Sequence, residues 1–215
     1  MKSVDLPPLY LLLASMSRYR AECLSKIDLP FAQWAPHIDE TPLENEQPAD
    51  LVCRLAGLKA QAGLKAINGD ADIARKSEVS HILASDQVMA LGQTILGKPH
   101  TMEKAKEQLR SMSGQTVYFY TSLCVLDTNT NESRITLDKT KVTFRDLTDE
   151  QIELYLNFEQ PLDCAGSFKS EKAGILLCKG IEGKDPNALV GLPLVSLTDS
   201  LAALGYQLPT SNKIV

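Results

Sequence analysis

A chain of 215 residues with 44% apolar and 23% charged residues has the make-up of a globular protein, which excludes disordered, collagen-like and coiled-coil classes. That length buries about 70% of the surface its unfolded form exposes, enough for a core without disulfide staples. A net charge of -5 with no cluster of Lys and Arg excludes a non-specific binder of polymeric nucleic acid, because phosphate neutralisation supplies most of that affinity.

Met1 to Pro8 carries one Lys and one Asp rather than a basic leader region, and the apolar run Leu9 to Ala14 is too short to span a bilayer. The cysteines Cys23, Cys53, Cys124, Cys164 and Cys178 are odd in number and lack C-x-x-C spacing. They argue against a zinc ribbon or disulfide framework and for a reducing cytoplasm.

Leu9 to Ser15 (LYLLLAS) reads as a buried strand running into a loop at a helix start, a common place for phosphate. Arg18 to Ile27 reads as a helix ended by Leu29-Pro30, and Phe31 to Ala35 as a strand. From Asp50 to Ile67 the residues Leu51, Val52, Leu55, Leu58, Ala62 and Ala66 recur at three- and four-residue steps, which predicts a long amphipathic helix with Lys59 near one edge of its buried stripe. Asn68 to Ser80 has no period and reads as a surface connection.

His81 to Leu91 reads as a strand interrupted by the polar Ser85-Asp86-Gln87, with Gly92-Gln93 as a hairpin turn. Thr101 caps a helix reaching Met112, closed by Gly114, and Val117 to Leu126 and Ile135 to Leu147 read as paired strands. Thr148 and Gln151 form a capping-box pattern opening a helix to about Glu159, ended by Pro161. Cys164 to Cys178 reads as two short strands flanking Lys169 to Lys172. A loop punctuated by Pro186, Gly191 and Pro193 precedes a last helix, Leu194 to Leu204.

Polar residues interrupt apolar elements at Ser15 to Arg20, at His37 to Thr41, and at Ser85 to Gln87 followed by Gly97-Lys98-Pro99. An acidic Asp86 between Leu83 and Val88 on a buried strand must be paired, protonated or metal-bound. Glu40 and Asp86 offer the hard oxygen ligands that Mg²⁺ prefers. His37, His81 and His100 show no ligand spacing and are assigned to surface or core.

Ala14 to Arg20 (ASMSRYR), Ile38 to Pro42 (IDETP), Arg54-Leu55-Ala56 with Lys59, Ser85-Asp86-Gln87, Gly97-Lys98-Pro99 and Ser113-Gly114 resemble the motif series of the Maf family, in that family's order and across nearly the whole chain. The resemblance implies an α/β fold of one domain over residues 1–215, with a mixed, elongated sheet, flanking helices and two lobes around a cleft, and it implies a homodimer. It also implies a cytoplasmic, metal-dependent hydrolase, with Mg²⁺ or Mn²⁺, that cuts a small nucleoside triphosphate between its α and β phosphates, with no role for a membrane. Asp86 is then the proton acceptor and a metal ligand beside Glu40. Arg20, Lys59 and Lys98 spread positive charge over the triphosphate, helped by backbone N–H groups of the Ser15 to Ser17 loop.

Within that family, Ser85-Asp86-Gln87 departs from the Ala-Asp-Thr of the dTTP and UTP branch, while Cys164 to Glu171 (CAGSFKSE), with Lys184-Asp185-Pro186-Asn187 and Gly191-Leu192-Pro193-Leu194, resembles the branch acting on 7-methyl-GTP. Tyr19, Gln87 and Glu171 are expected to set base preference, with Tyr19 offering an aromatic face to the cationic 7-methylguanine ring. The chain departs from the family pattern at Arg18 for Pro, Ala21 for a second Arg, Leu58 for an acidic residue and Lys172 for Gly. Arg18 is the candidate replacement for the lost arginine. Two rival readings stand beside this one: a pyrophosphatase of the same fold for dTTP, UTP or another modified nucleotide, opposed by Gln87, and a nucleotide-binding division regulator without catalysis, opposed by Glu40, Lys59, Asp86 and Lys98 standing together.

Overall fold

The computed structural model describes residues 6–69 and 71–209. Its organising strand is β1 (Leu11–Leu13), whose three leucines are fully buried. β1 lies between two parallel neighbours, β2 (Phe31–Gln33) and β3 (His81–Leu91), which is where an uninterrupted apolar run belongs. Beyond β3 the sheet turns antiparallel through β5 (Thr116–Asp127), β6 (Ser133–Phe144) and β7 (Cys178–Glu182), and β4 (Thr94–Leu96) folds back on β3.

The unequal lengths of these strands create the gap in which the site forms. β1 pairs with β3 only at His81 to Leu83, and β4 pairs on that same flank only at Met89 to Leu91. On their other flank Ser85, Asp86, Gln87 and Val88 pair with β5. The polar triplet therefore sits where β1 has ended and β4 has not begun, beyond the carboxyl end of a parallel strand, the general position of ligand crevices in open α/β sheets.

Successive residues of β1 serve opposite faces. Leu11 and Leu13 pack with Leu24 of α1 (Arg18–Ser25) and Leu197 of α6 (Leu194–Ala203). Leu12 packs with Ala56 and Ala60 of α2 (Pro48–Asn68) on the other face. A third cluster joins Met89, Phe119 and Phe144 to Leu109 of α3 (Met102–Met112) and Ile152 of α4 (Asp149–Glu159). The caps follow the sequence: Thr101 accepts from Lys104 N, and both bonds of the Thr148/Gln151 box form.

Several expectations change, and Leu58, read as part of the buried stripe of α2, is exposed. The strand expected to reach Leu147 stops at Phe144, after a register shift between Thr143 and Phe144. Cys164 to Cys178 does not form two strands; it makes 3-10 turns at Ala165–Ser167 and Ala173–Leu177 before β7. The reason is conformational: Gly166 and Ser167 have φ of 62° and 57°, and a Cβ at Gly166 would lie 2.1 Å from Met89 Sδ. The loop expected at Pro186 contains a short helix, α5 (Pro186–Val190), whose first turn is capped by Asp185 accepting from Asn187 N. The 68–80 connection is not wholly superficial, because Ile73 and Val79 are buried; residue 70 within it, like residues 1–5 of the segment read as lacking a leader, lies outside the described residues. Among the described residues no helix is long and apolar enough to cross a membrane.

Candidate active site

A cleft of about 660 Å³ opens at the gap between β1 and β4 and is lined by Ser15, Arg20, Glu40, Lys59, Asp86, Gln87 and Lys98, among others. Seven of the expected site residues thus converge from segments spread over more than eighty positions. Asp86 arrives on β3, Lys59 on the buried face of α2, and Ser15 and Arg20 on the loop and first turn after β1.

Lys59 is the hub. Its Nζ lies 2.5 Å from Asp86 Oδ1 and 2.7 Å from Glu40 Oε1. With a residue exposure of 6%, Lys59 lies within the buried stripe and not at its edge: α2 packs that face directly against β3. Burial pushes the Asp86 carboxyl above the usual aspartate range, against the opposing pull of Lys59 and Arg20. Burial acts on Glu40 in the same direction, but the Lys59 hydrogen bond and charge, aided by Lys98 and Arg20, outweigh it and hold that carboxyl low. Two carboxylates facing one cleft are therefore pushed to opposite sides of their ordinary values, which suits them to different tasks.

Arg20 is fixed at both ends of its guanidinium. Nε donates to Gly191 O at 3.0 Å and Nη1 to Ser15 Oγ at 3.2 Å. Ser85 Oγ donates to the same Gly191 carbonyl at 2.7 Å. That carbonyl is aimed by a Gly191 φ of 120°, a conformation that side chains disfavour. In the Ser15 to Ser17 loop, Ser15 N donates to Leu13 O and Ser17 N to Ser15 Oγ. Two of the three N–H groups expected to meet phosphate are thus already used internally, and the loop's contribution falls to Met16 and the N-terminal turn of α1.

A second, smaller pocket of about 150 Å³ shares Ser17, Arg20, Gln87, Lys98 and Ala165 with the cleft, and it brings together Tyr19, Gln87 and Glu171. The Gln87 amide nitrogen donates to Thr121 Oγ1, Ala188 O and Leu189 O at 2.9, 2.8 and 3.1 Å. Those partners commit its donor capacity, so what Gln87 has left for a ligand is its Oε1 acceptor. Arg18 does not replace the missing arginine: Nη2 donates to Tyr19 OH at 2.8 Å and its guanidinium stands 4.7 Å from the Tyr19 ring centroid.

Phe119 and Asp163, which nothing periodic in the sequence singles out, line the smaller pocket together with Cys164 and Phe168 of the CAGSFKSE segment. Arg54 clamps the segment carrying Glu40: Nε and Nη2 donate to Glu46 at 2.6 and 2.7 Å, and Nη2 also reaches Thr41 O at 3.1 Å. Among the described residues no group of three or more His, Cys, Asp and Glu side chains is placed to enclose a metal. Glu40 and Asp86 nonetheless present two carboxylates to one cleft, the hard oxygen donors that a divalent cation prefers.

A family model described as "Maf-like protein" matches residues 10–204. A 7-methyl-GTP pyrophosphatase of Nitrosococcus oceani is 51% identical over 199 residues, 93% of this chain and 95% of that one. Proteins of the same name from Vibrio vulnificus and Alcanivorax borkumensis are 47% and 48% identical, covering 92% and 93% of this chain and 96% of each relative.

Proposed function

This chain belongs to the Maf family, and from that premise we propose that it hydrolyses 7-methyl-GTP to 7-methyl-GMP and pyrophosphate, clearing a modified nucleotide. The observation that carries the reading is the meeting of Tyr19, Gln87 and Glu171 in one pocket that shares Arg20 and Lys98 with the Asp86 cleft. The cleft takes the triphosphate and the smaller pocket the base.

Methylation at N7 removes an acceptor from guanine and leaves a cation whose N1–H and N2–H edge donates. The pocket answers with acceptors, Gln87 Oε1 and the Glu171 carboxylate, and with the Tyr19 ring. In the reaction, water oxygen bonds to the α phosphorus, the bond from that phosphorus to the bridging oxygen breaks, and pyrophosphate leaves. Asp86 takes the proton: Lys59 holds Oδ1, leaving Oδ2 to accept it, and burial makes the carboxylate a stronger base than an exposed aspartate. Lys59, Arg20 and Lys98 offset the charge that collects on the departing pyrophosphate. Glu40 and Asp86 would hold a divalent cation, which neutralises phosphate charge and acidifies water when bound.

A panel of 7-methyl-GTP, GTP, dTTP and UTP, assayed for pyrophosphate release with and without Mg²⁺, tests the reading. The highest kcat/KM is expected for 7-methyl-GTP. A preference for dTTP or UTP would remove the substrate and keep the reaction; no pyrophosphate from any of them would remove the reaction.

A further inference from the structure

The segment Asp163 to Glu171 supplies Asp163, Cys164, Phe168 and Glu171 to the smaller pocket, yet it contains no strand and only one 3-10 turn. Glu171 is exposed, and its side chain's one hydrogen bond among the described residues is a 3.4 Å contact from its neighbour Ser170. Its position is therefore set by the backbone that carries it.

That backbone is held from α4. Tyr155 and Glu159 lie four residues apart and share a helix face. Tyr155 OH donates to Ser167 O at 3.1 Å and accepts from Lys169 N at 3.0 Å. Lys169 Nζ donates to Glu159 O at 2.9 Å and stands 4.0 Å from Glu159 Oε2, while Glu159 Oε1 accepts from Ala173 N at 3.0 Å. The three side chains are at most 8% exposed, and none of them lines the cleft or the smaller pocket. A buried Lys–Glu pair is a weak source of stability, since well-packed apolar residues of the same volume often do as well or better. What this one secures is geometry: the Ser167 carbonyl, the Lys169 and Ala173 N–H groups and the Lys169 ammonium are all tied to one rigid helix.

We propose that Tyr155, Glu159 and Lys169 are positioning residues that set base selectivity by fixing the segment that presents Glu171 to the pocket. This inference rests on the reading of that pocket as the base site. Its test is the ratio of kcat/KM for 7-methyl-GTP to that for GTP, measured with the full chain as wild type, Glu171→Gln, Tyr155→Phe and Lys169→Met, each accompanied by a thermal melt.

Glu171→Gln is expected to lower the ratio about tenfold, the loss of one charge-assisted hydrogen bond. Tyr155→Phe, which deletes a single oxygen and carries the test should Lys169→Met not fold, is expected to lower it about fivefold with kcat on GTP retained. If Glu171→Gln lowers the ratio while folded Tyr155→Phe and Lys169→Met keep the wild-type value, the positioning role is overturned and the base-site reading stands. If Glu171→Gln leaves the ratio unchanged, the base-site reading falls and the positioning role with it.

Discussion

Lys59 Nζ lies 2.5 Å from Asp86 Oδ1, and both side chains are buried at the floor of the cleft. A proton acceptor held this way keeps one oxygen for the reaction. Replacing Asp86 by Asn preserves its shape and removes its basicity, so pyrophosphate release should drop about 10²- to 10⁴-fold while the thermal melt stays cooperative. Intact turnover in a folded Asp86→Asn protein would end the proposed mechanism.

The same pair fixes a pH dependence. The Asp86 carboxyl is raised by burial, so the active carboxylate is lost at a higher pH than an ordinary aspartate's value of about 3.9. In the metal-free protein an NMR titration of that carboxyl should therefore have its midpoint above that value. Lys59 pulls in the other direction, so Lys59→Met should move the midpoint further up. A midpoint that stays in place or moves down would disconnect Lys59 from the Asp86 carboxyl.

Glu40 is tied to Lys59 and has a second carboxylate oxygen to offer a cation. Chelation should abolish activity and Mg²⁺ should restore it. Glu40→Gln should raise the Mg²⁺ concentration for half-maximal rate about tenfold or more, read from a metal titration at saturating nucleotide. An unchanged midpoint would take Glu40 out of the metal site.

The Glu46–Arg54 clamp makes a stability prediction with a definite sign. The Arg54 hydrogen bond holds the Glu46 carboxyl well down, at about 2, below the unfolded value of about 4.3. A depressed carboxyl contributes stability fully above the unfolded value and loses it as pH falls through the folded one. Denaturant unfolding of wild type and Glu46→Gln should therefore differ most above about pH 4.3 and converge towards pH 2. A constant difference across that range would show the clamp to be energetically silent.

Gly191 joins the two halves of the site through one carbonyl, which accepts from both Arg20 and Ser85. Its φ is 120°, and a methyl group added at its Cα would stand 3.5 Å from Arg20 Nε. Gly191→Ala should therefore cost about 1–3 kcal/mol of stability. The methyl meets Arg20 at ordinary van der Waals distance, so the strain is in the backbone, and the loss should appear as a lower Tm together with a raised KM as relief of that φ shifts the carbonyl that holds Arg20. A wild-type Tm would show that the backbone relaxes without strain.

Much of the fold is legible locally. α2, β3 and the caps at Thr101 and Thr148 follow from periodicity and side-chain-to-backbone bonds between near neighbours, interactions a sequence carries on its face. The segment from Cys164 to Cys178 escapes such reading because its form comes from partners far along the chain: Met89 against Gly166 and Tyr155 against Ser167 and Lys169. Local propensity cannot report such contacts.

For the site, residue order is enough to mark Asp86 as a costly acid in an apolar strand, and it supplies the residues that resemble the family's motifs. What that acid meets is settled only in three dimensions. The short β1 and the offset β4 leave β3 open at Asp86, and the packing of α2 on β3 delivers Lys59 across twenty-seven positions to its carboxylate. The physical reason is that burial and charge pairing act through space. A chain read in one dimension shows which groups need partners, and only the packed sheet and helices show which partners they receive.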